Sequence, residues 1–283
     1  MLPNTVDYYR ASSVSDALSV LKANPDAKIL AGGHSLIPAM KLRLNSPSMV
    51  IDIANLSDLN YIKEEGGNIC IGAMTTHGQI AHSSLLAEKL PLFTETADVI
   101  GDVQVRNMGT IGGSIAHADP SADWPAALLA ADASIVVTNG DDTRSISAVD
   151  FFVGFFSTAL EEGEIITEIQ VPVPAAGTKM TYQKFMQPAS RFAIVGCAAM
   201  AKVENGVVAD VKVAFTGVSD GPFRDGNVEA AISGKTATAE NIASAAAQAA
   251  SDVSLNADHY ADEDYRQHLA RVYAKRALTA VCR

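Results

Sequence analysis

The chain has 283 residues, 48% of them hydrophobic and 19% charged, enough apolar material for one large domain or two modest ones and no stretch of disordered composition. Asp and Glu number 32 against 21 Lys and Arg, a net charge of −11, which argues against non-specific nucleic-acid binding because that depends on basic side chains facing phosphates. A small anion held by backbone N–H groups is compatible with this charge.

The N-terminus, MLPNTVDYYR, lacks the charged-then-apolar layout of a secretory signal. No window approaches the apolar length of a membrane span, so the expectation is a cytoplasmic protein. SVSDALSVLKAN predicts a helix capped by Ser13, with Ala17, Leu18 and Leu21 on one face and Asn24 near its end. KILAGG follows as a buried strand entering a paired-glycine turn, and MVIDIANL as a second buried strand. Residues 1 to about 55 therefore read as a small β-α-β-like unit.

YIKE and NICIG flank an EEGG turn and predict a hairpin. One helix is expected from about Thr76 into the SSLL stretch, and a second from Pro91. PAALLAA is a third, opening on a proline suited to a first helical turn. ASIVVTNG and EIITEIQVP are strands. The VPVP stop before AAGTK is the best boundary, dividing an N-terminal domain of residues 1–177, with subdomains of about 1–55 and 56–177, from a domain of residues 178–283. That second domain reads as three strands, two of them joined at Asn205-Gly206, followed by helices in AENIASAAAQAASDV and DEDYRQHLARVYAKRALTAV. In the last helix Leu269, Val272, Tyr273, Ala277 and Ala280 predict one apolar face. The class is α+β.

Several familiar sites are missing. There is no GxGxxG, HExxH or GxSxG. Gly234-Lys235-Thr236 resembles the end of a phosphate loop, but Glu229 stands where its first glycine should be, so a helix-end glycine is the ordinary reading. The six histidines, His34, His77, His82, His117, His259 and His268, are scattered, and no metal set is expected. Cys70, Cys197 and Cys282 form no CxxC pair; the first two lie in apolar runs and read as buried thiols.

What remains is a pair of glycine loops, AGGHSLI at 31–37 and TIGGSIAH at 110–117. A strand running into Gly-Gly can turn sharply and aim several backbone N–H groups at one point, which suits a phosphate. Either pair alone is equally an ordinary tight turn. Together they could clasp a pyrophosphate from two sides, with hydroxyls from Ser35, Thr110 and Ser114. In the following ADPSADWP, Asp119 and Asp123 could accept from sugar hydroxyls or ring N–H groups; Asp123 could equally cap the next helix.

AGGHSLIPAMKLRL, IGAMTTHGQI, QVRNMGTIGGSIAHADPSADWPAALLA and YQKFMQPASRFAIVG together resemble the FAD-binding medium subunit of the carbon monoxide dehydrogenase and xanthine dehydrogenase family of molybdenum hydroxylases, over essentially the full chain. The resemblance implies a two-subdomain FAD-binding domain of the PCMH, vanillyl-alcohol-oxidase-like, type, then a C-terminal domain with a three-stranded antiparallel sheet and helices. It implies that FAD lies between the subdomains with its pyrophosphate on the two loops: Ala31, Gly32, Gly33, His34 and Ser35 in the first, Thr110, Gly112, Gly113 and Ser114 in the second. Leu30 and Leu36 would flank the first loop, and Asp123 would meet the nucleotide end. Ile166 would line the pocket wall, Lys184 would lie near the flavin, and Phe192 beside its ring. Gly101, Val105, Ala116 and His117 complete the implied set. The usual TIGGN is TIGGS here, and the usual tyrosine beside the flavin is Phe192, which stacks but offers no hydroxyl.

The implied role is electron transfer. A large partner subunit would carry the molybdenum cofactor and a small one the [2Fe-2S] clusters, in a heterotrimer able to dimerise. Such a chain needs no catalytic acid or base of its own. The competing readings are a self-sufficient FAD-dependent oxidoreductase, for which His117 and Tyr182 are the available bases, and a non-catalytic nucleotide-binding protein. FFVGFFSTAL at 151–160 could meet a partner or belong to the core.

Overall fold

The computed structural model describes residues 2–283. Its first unit holds β1 (Asp7–Arg10), α1 (Val14–Ala23), β2 (Lys28–Leu30), α2 (Leu36–Lys41) and β3 (Met49–Asp52). The sheet order is β1-β3-β2, and both pairings are parallel. Parallel neighbours need crossovers, and α1 and α2 supply them. Ser13 caps α1 by accepting from the Asp16 N–H at 3.0 Å. Ala17, Leu18 and Ile51 are buried in this unit's core.

The second unit opens with β4 (Ile62–Glu65) and β5 (Asn68–Gly72), the expected hairpin. Gly66 (φ 58°) and Gly67 (φ 81°) both take the left-handed region that a two-residue loop demands. Next come α3 (His77–Ala81), α4 (Ser84–Lys89), α5 (Pro91–Asp98), α6 (Val103–Met108), α7 (Ile111–His117) and α8 (Trp124–Ala130). The one helix expected over Thr76 to SSLL is two. Ser83 stops the first by capping α4, its Oγ accepting from Leu86 N–H at 3.3 Å. Then follow β6 (Ser134–Thr138), β7 (Thr143–Ser147), α9 (Ala148–Phe151), the short pair β8 (Phe152–Gly154) and β9 (Ser157–Thr158), and β10 (Ile165–Pro172). The sheet order is β4-β5-β10-β6-β7, with β10 central and antiparallel to β5 and β6. All of α8 is buried, which is why its sequence lacks a polar face.

The third unit has β11 (Thr178–Met186), β12 (Ala193–Glu204), β13 (Val207–Thr216) and β14 (Phe223–Arg224), then α10 (Gly226–Ile232), α11 (Ala239–Ala246) and α12 (Glu263–Cys282). Its antiparallel sheet has four strands where three were expected. The addition, β14, has two residues, too few to show a period in sequence. Asn205 (φ 52°) and Gly206 (φ 78°) make the expected hairpin turn. The buried face of α12 runs through Leu269, Tyr273, Ala277 and Val281 with Ala270, Ala274 and Leu278. Ala280, expected on that face, is exposed, because the stripe follows i+4 steps from Leu269.

The second and third units share a core. Tyr182, Ala198, Met200 and Ala214 pack into the cluster that holds Trp124 and Phe93. The segment from Pro120 to Asp123 is stitched to the third unit's sheet. Gly217 N–H donates to Pro120 O at 2.8 Å, and Ala193 N–H to Ser121 O at 3.0 Å. Buried Thr216 Oγ1 lies 2.8 Å from Pro120 O and 2.7 Å from Ala122 O.

Candidate cofactor-binding site

Strand β2 ends at Leu30 and the chain turns at once. Gly33 has φ +72°, a region glycine enters without steric penalty. Gly33 O accepts from Ile37 N–H at 3.0 Å, and His34 Nδ1 lies 3.0 Å from Gly32 O. The N–H groups of Gly32, Gly33, His34, Ser35 and Leu36 donate to no acceptor among the described residues. Five successive donors around one partly exposed turn form the kind of cradle that holds phosphate oxygens.

The second glycine pair differs from expectation. It is not a turn after a strand but the first turn of α7, with Thr110 as N-cap. Its backbone donors are committed: Ile111 N–H to Thr75 O at 3.0 Å, Gly112 N–H to Ala73 O at 2.9 Å, and Ser114 N–H to Thr110 O at 3.0 Å. Gly113 N–H donates to Thr110 Oγ1 at 3.1 Å. A Cβ on Gly112 would meet Ala73 Cβ at 2.6 Å. That glycine therefore lets α7 lie against the end of β5, instead of freeing a donor. What this loop presents is the half-buried Ser114 and a helix N-terminus of positive polarity, while the buried Thr110 hydroxyl caps the helix.

The two loops touch. A Cβ on Gly32 would fall 2.0 Å from Met108 O and 2.9 Å from Gly109 Cα, and one on Gly113 would lie 3.5 Å from Ala31 Cβ. Leu30 and Leu36 are half-buried on either side of the first loop. Beside them Gly101 (φ +48°) packs on Val105, and Asp102 caps α6 by accepting from Val105 N–H at 2.9 Å. That bond holds the Asp102 carboxyl below its ordinary range. Arg191 donates to Gly101 O at 3.0 Å, so the turn between β11 and β12 reaches this corner and carries the exposed Phe192 with it. Ala116 is exposed and His117 half-buried at the other end of α7, where the His117 ring meets Phe156 edge-on at 5.1 Å.

Asp123, Ile166 and the side chain of Lys184 are buried, where the first loop is partly exposed. Asp123 is 5% exposed and makes no helix-capping bond. Its Oδ1 accepts from Tyr182 Oη at 2.6 Å and its Oδ2 from Lys184 Nζ at 2.8 Å; Lys184 Nζ also donates to Val99 O at 3.0 Å. Both carboxylate oxygens are thus spent inside the protein, on a pairing between the second and third units. Burial raises the Asp123 carboxyl, opposed by Lys184. Burial and Asp123 push the Tyr182 hydroxyl well up, so it serves as a donor and not a base. Ile166, on β10, is packed in the central core.

One residue that sequence reasoning passed over lies against the loops. His77, the first residue of α3, accepts from Trp124 Nε1–H through Nδ1 at 3.1 Å, and both side chains are buried. Its backbone N–H donates to Gly109 O at 2.9 Å. The sequence signal is the Thr76-x-x-Gln79 pattern around it, a capping box that fixes where α3 begins.

The family described as the FAD-binding domain in molybdopterin dehydrogenase matches residues 4–174, and the CO dehydrogenase flavoprotein C-terminal domain matches residues 180–281. The chain belongs to the FAD-binding medium-subunit family of the molybdenum hydroxylases. As a member of that family it is an oxidoreductase subunit. It is 38% identical to the carbon monoxide dehydrogenase medium chain of Hydrogenophaga pseudoflava over 99% of this chain and 98% of that one. It is also 38% identical to the glyceraldehyde dehydrogenase medium chain of Sulfolobus acidocaldarius, over 99% of this chain and all of the other. A solved carbon monoxide dehydrogenase from Hydrogenophaga pseudoflava superposes with a TM-score of 0.96 at 40% identity, covering 99% of this chain and 98% of that one. Quinoline 2-oxidoreductase from Pseudomonas putida 86 gives 0.94 at 29% identity, covering 100% and 98%. As in those relatives the fold is α+β, an FAD-binding domain followed by the flavoprotein C-terminal domain. Among the described residues no helix is long and apolar enough to cross a membrane, and no three His, Cys, Asp or Glu side chains gather as a metal site.

Proposed function

We propose that this chain is the flavoprotein subunit of a cytoplasmic, multi-subunit molybdenum hydroxylase. It holds FAD between the iron–sulfur clusters of a small partner subunit and an external electron acceptor. A large partner subunit carries the molybdenum cofactor, and the heterotrimer is able to dimerise. The chain divides near residues 177 and 178. The observation that carries this reading is the first glycine loop, with five unspent N–H donors pressed by Gly32 onto the chain that leads into α7. FAD supplies the redox chemistry when bound. The chain's own residues grip the pyrophosphate and fix the orientation of the ring. Leu30 through Leu36, Gly101, Val105, Thr110, Gly112 through Ser114, Ala116, His117 and Phe192 are the proposed contacts. Asp123, Lys184 and Ile166 support them from the core.

The test is an absorption spectrum of the purified chain after incubation with FAD and desalting. Retained flavin bands are expected from the wild type. They are lost in Gly113→Val, whose Cβ would sit 2.9 Å from Thr110 Oγ1 at the junction of the loops. Retention of FAD by Gly113→Val at wild-type occupancy would remove the cradle from the reading. Co-purification from the native host with two partner chains, one bearing iron and one molybdenum, checks the assembly.

A further inference from the structure

His77 carries a donor for which the fold provides no acceptor. The indole N–H of Trp124 can only donate, so His77 Nδ1, 3.1 Å away, must accept. A neutral imidazole then has its proton on Nε2. Burial, with His34 and Arg106 nearby, lowers the His77 pKa to about 3, so the ring is neutral at ordinary pH and this tautomer is the one present. The residue is 4% exposed, and no described residue accepts from Nε2. Nε2 is not sealed in with the protein's buried unpartnered polar atoms, so it keeps an opening to solvent through which it can donate outward.

The position of that donor gives it a use. A Cβ on Gly109 would lie 2.8 Å from His77 Nε2 and 2.9 Å from Cδ2, so the Nε2 edge of the ring occupies the space a side chain at 109 would need. Gly109 is also where the first loop lands: Gly32 packs on Met108 and on Gly109 Cα. The ring edge therefore sits one glycine from the junction of the two loops. The backbone bond from His77 to Gly109 O holds it there.

We propose that His77, fixed as its Nε2–H tautomer by Trp124, donates a hydrogen bond to the diphosphate of the dinucleotide seated on the first glycine loop. This rests on the FAD reading above. It adds to that reading a side-chain donor from α3, reaching the diphosphate from beneath the junction, where α7 has no free backbone N–H to give. Trp124 acts through His77 and is a positioning residue.

Calorimetric titration of the full chain separates the possibilities, using ADP as a diphosphate without flavin and riboflavin as a flavin without phosphate. His77→Phe keeps the ring volume and removes the donor. Its affinity for ADP and FAD is expected to fall by about fivefold or more, the scale of one hydrogen bond, with riboflavin binding unchanged. His77→Gln, which keeps an N–H, recovers part of the loss. Wild-type ADP affinity in His77→Phe, with only a lowered melting temperature, would mean that His77 is a core histidine and overturn the proposal. Should His77→Phe not fold, the wild-type chain still decides. The imidazole Nε2–H resonance of His77 shifts when ADP is added if the bond forms, and stays in place if it does not. A wild type that binds neither ADP nor FAD would instead overturn the FAD reading itself.

Discussion

At the scale of single residues, neutrality of His77 has a thermodynamic signature. Its folded-state pKa is about 3 against an ordinary 6.5. Between those values the unfolded chain binds a proton that the folded chain refuses. Its contribution to stability is therefore complete above pH 6.5 and drains away as pH falls toward 3, with a slope of up to about 1.4 kcal/mol per pH unit. The buried carboxyls of Asp119, Asp123 and Asp225 are raised by burial and act the other way. Subtracting a His77→Phe variant isolates the histidine. Urea unfolding at pH 7, 6 and 5 should show the wild type losing stability relative to the variant as pH falls; parallel curves would contradict a neutral buried ring. Residue roles were unevenly legible. Paired glycines announce close approach, because nothing else fits against Met108 O or Ala73. The bond from Lys184 to Asp123 spans 61 positions, and that from Trp124 to His77 spans 47. Neither has any local pattern to betray it.

At the scale of elements, the short run from Pro120 to Asp123 behaves as a seam. Thr216 places one hydroxyl between two carbonyls of that run in a fully buried setting. Thr216→Val keeps the shape and strands the Ala122 carbonyl, while Pro120 O keeps its bond from Gly217 N–H, so a loss of about 1–3 kcal/mol is expected in denaturant titration. An unchanged midpoint would show that the seam contributes nothing. Local chemistry made the hairpins at Gly66-Gly67 and Asn205-Gly206 legible, since both need left-handed backbone. The second glycine loop differs in kind from what its sequence suggests. TIGG reads as a turn, yet Thr110 caps a helix there, and the pull toward helix comes from Ala73 and Thr75 on a distant segment. Helix α8 was legible as a helix from its propensity. Its complete burial was not, because that depends on β12 and β13 arriving from more than sixty positions later.

At the scale of the whole molecule, the boundary that the sequence marks at VPVP is not a line of weakness in space. Lys184, Tyr182 and Thr181 on β11 bond to Asp123, Val99 and Glu95, and Lys212 and Arg224 bond to Asp132. The expected result is one cooperative transition for both domains in scanning calorimetry. Lys184→Met should lower it by about 3–5 kcal/mol, because it leaves the Asp123 carboxylate buried and unpaired. Two resolved transitions would show that the domains fold independently.

Trp124 is the only tryptophan in the chain. It is fully buried, 5.4 Å from Phe93 and 5.9 Å from His77 between ring centres. Its emission is therefore the signature of one place in the protein, a single side chain removed from the glycine junction. Oxidised flavins absorb where buried indoles emit, so a cofactor arriving on the first loop would darken that lamp by resonance energy transfer. The unmodified protein carries its own optical gauge of occupancy, one that needs neither label nor partner.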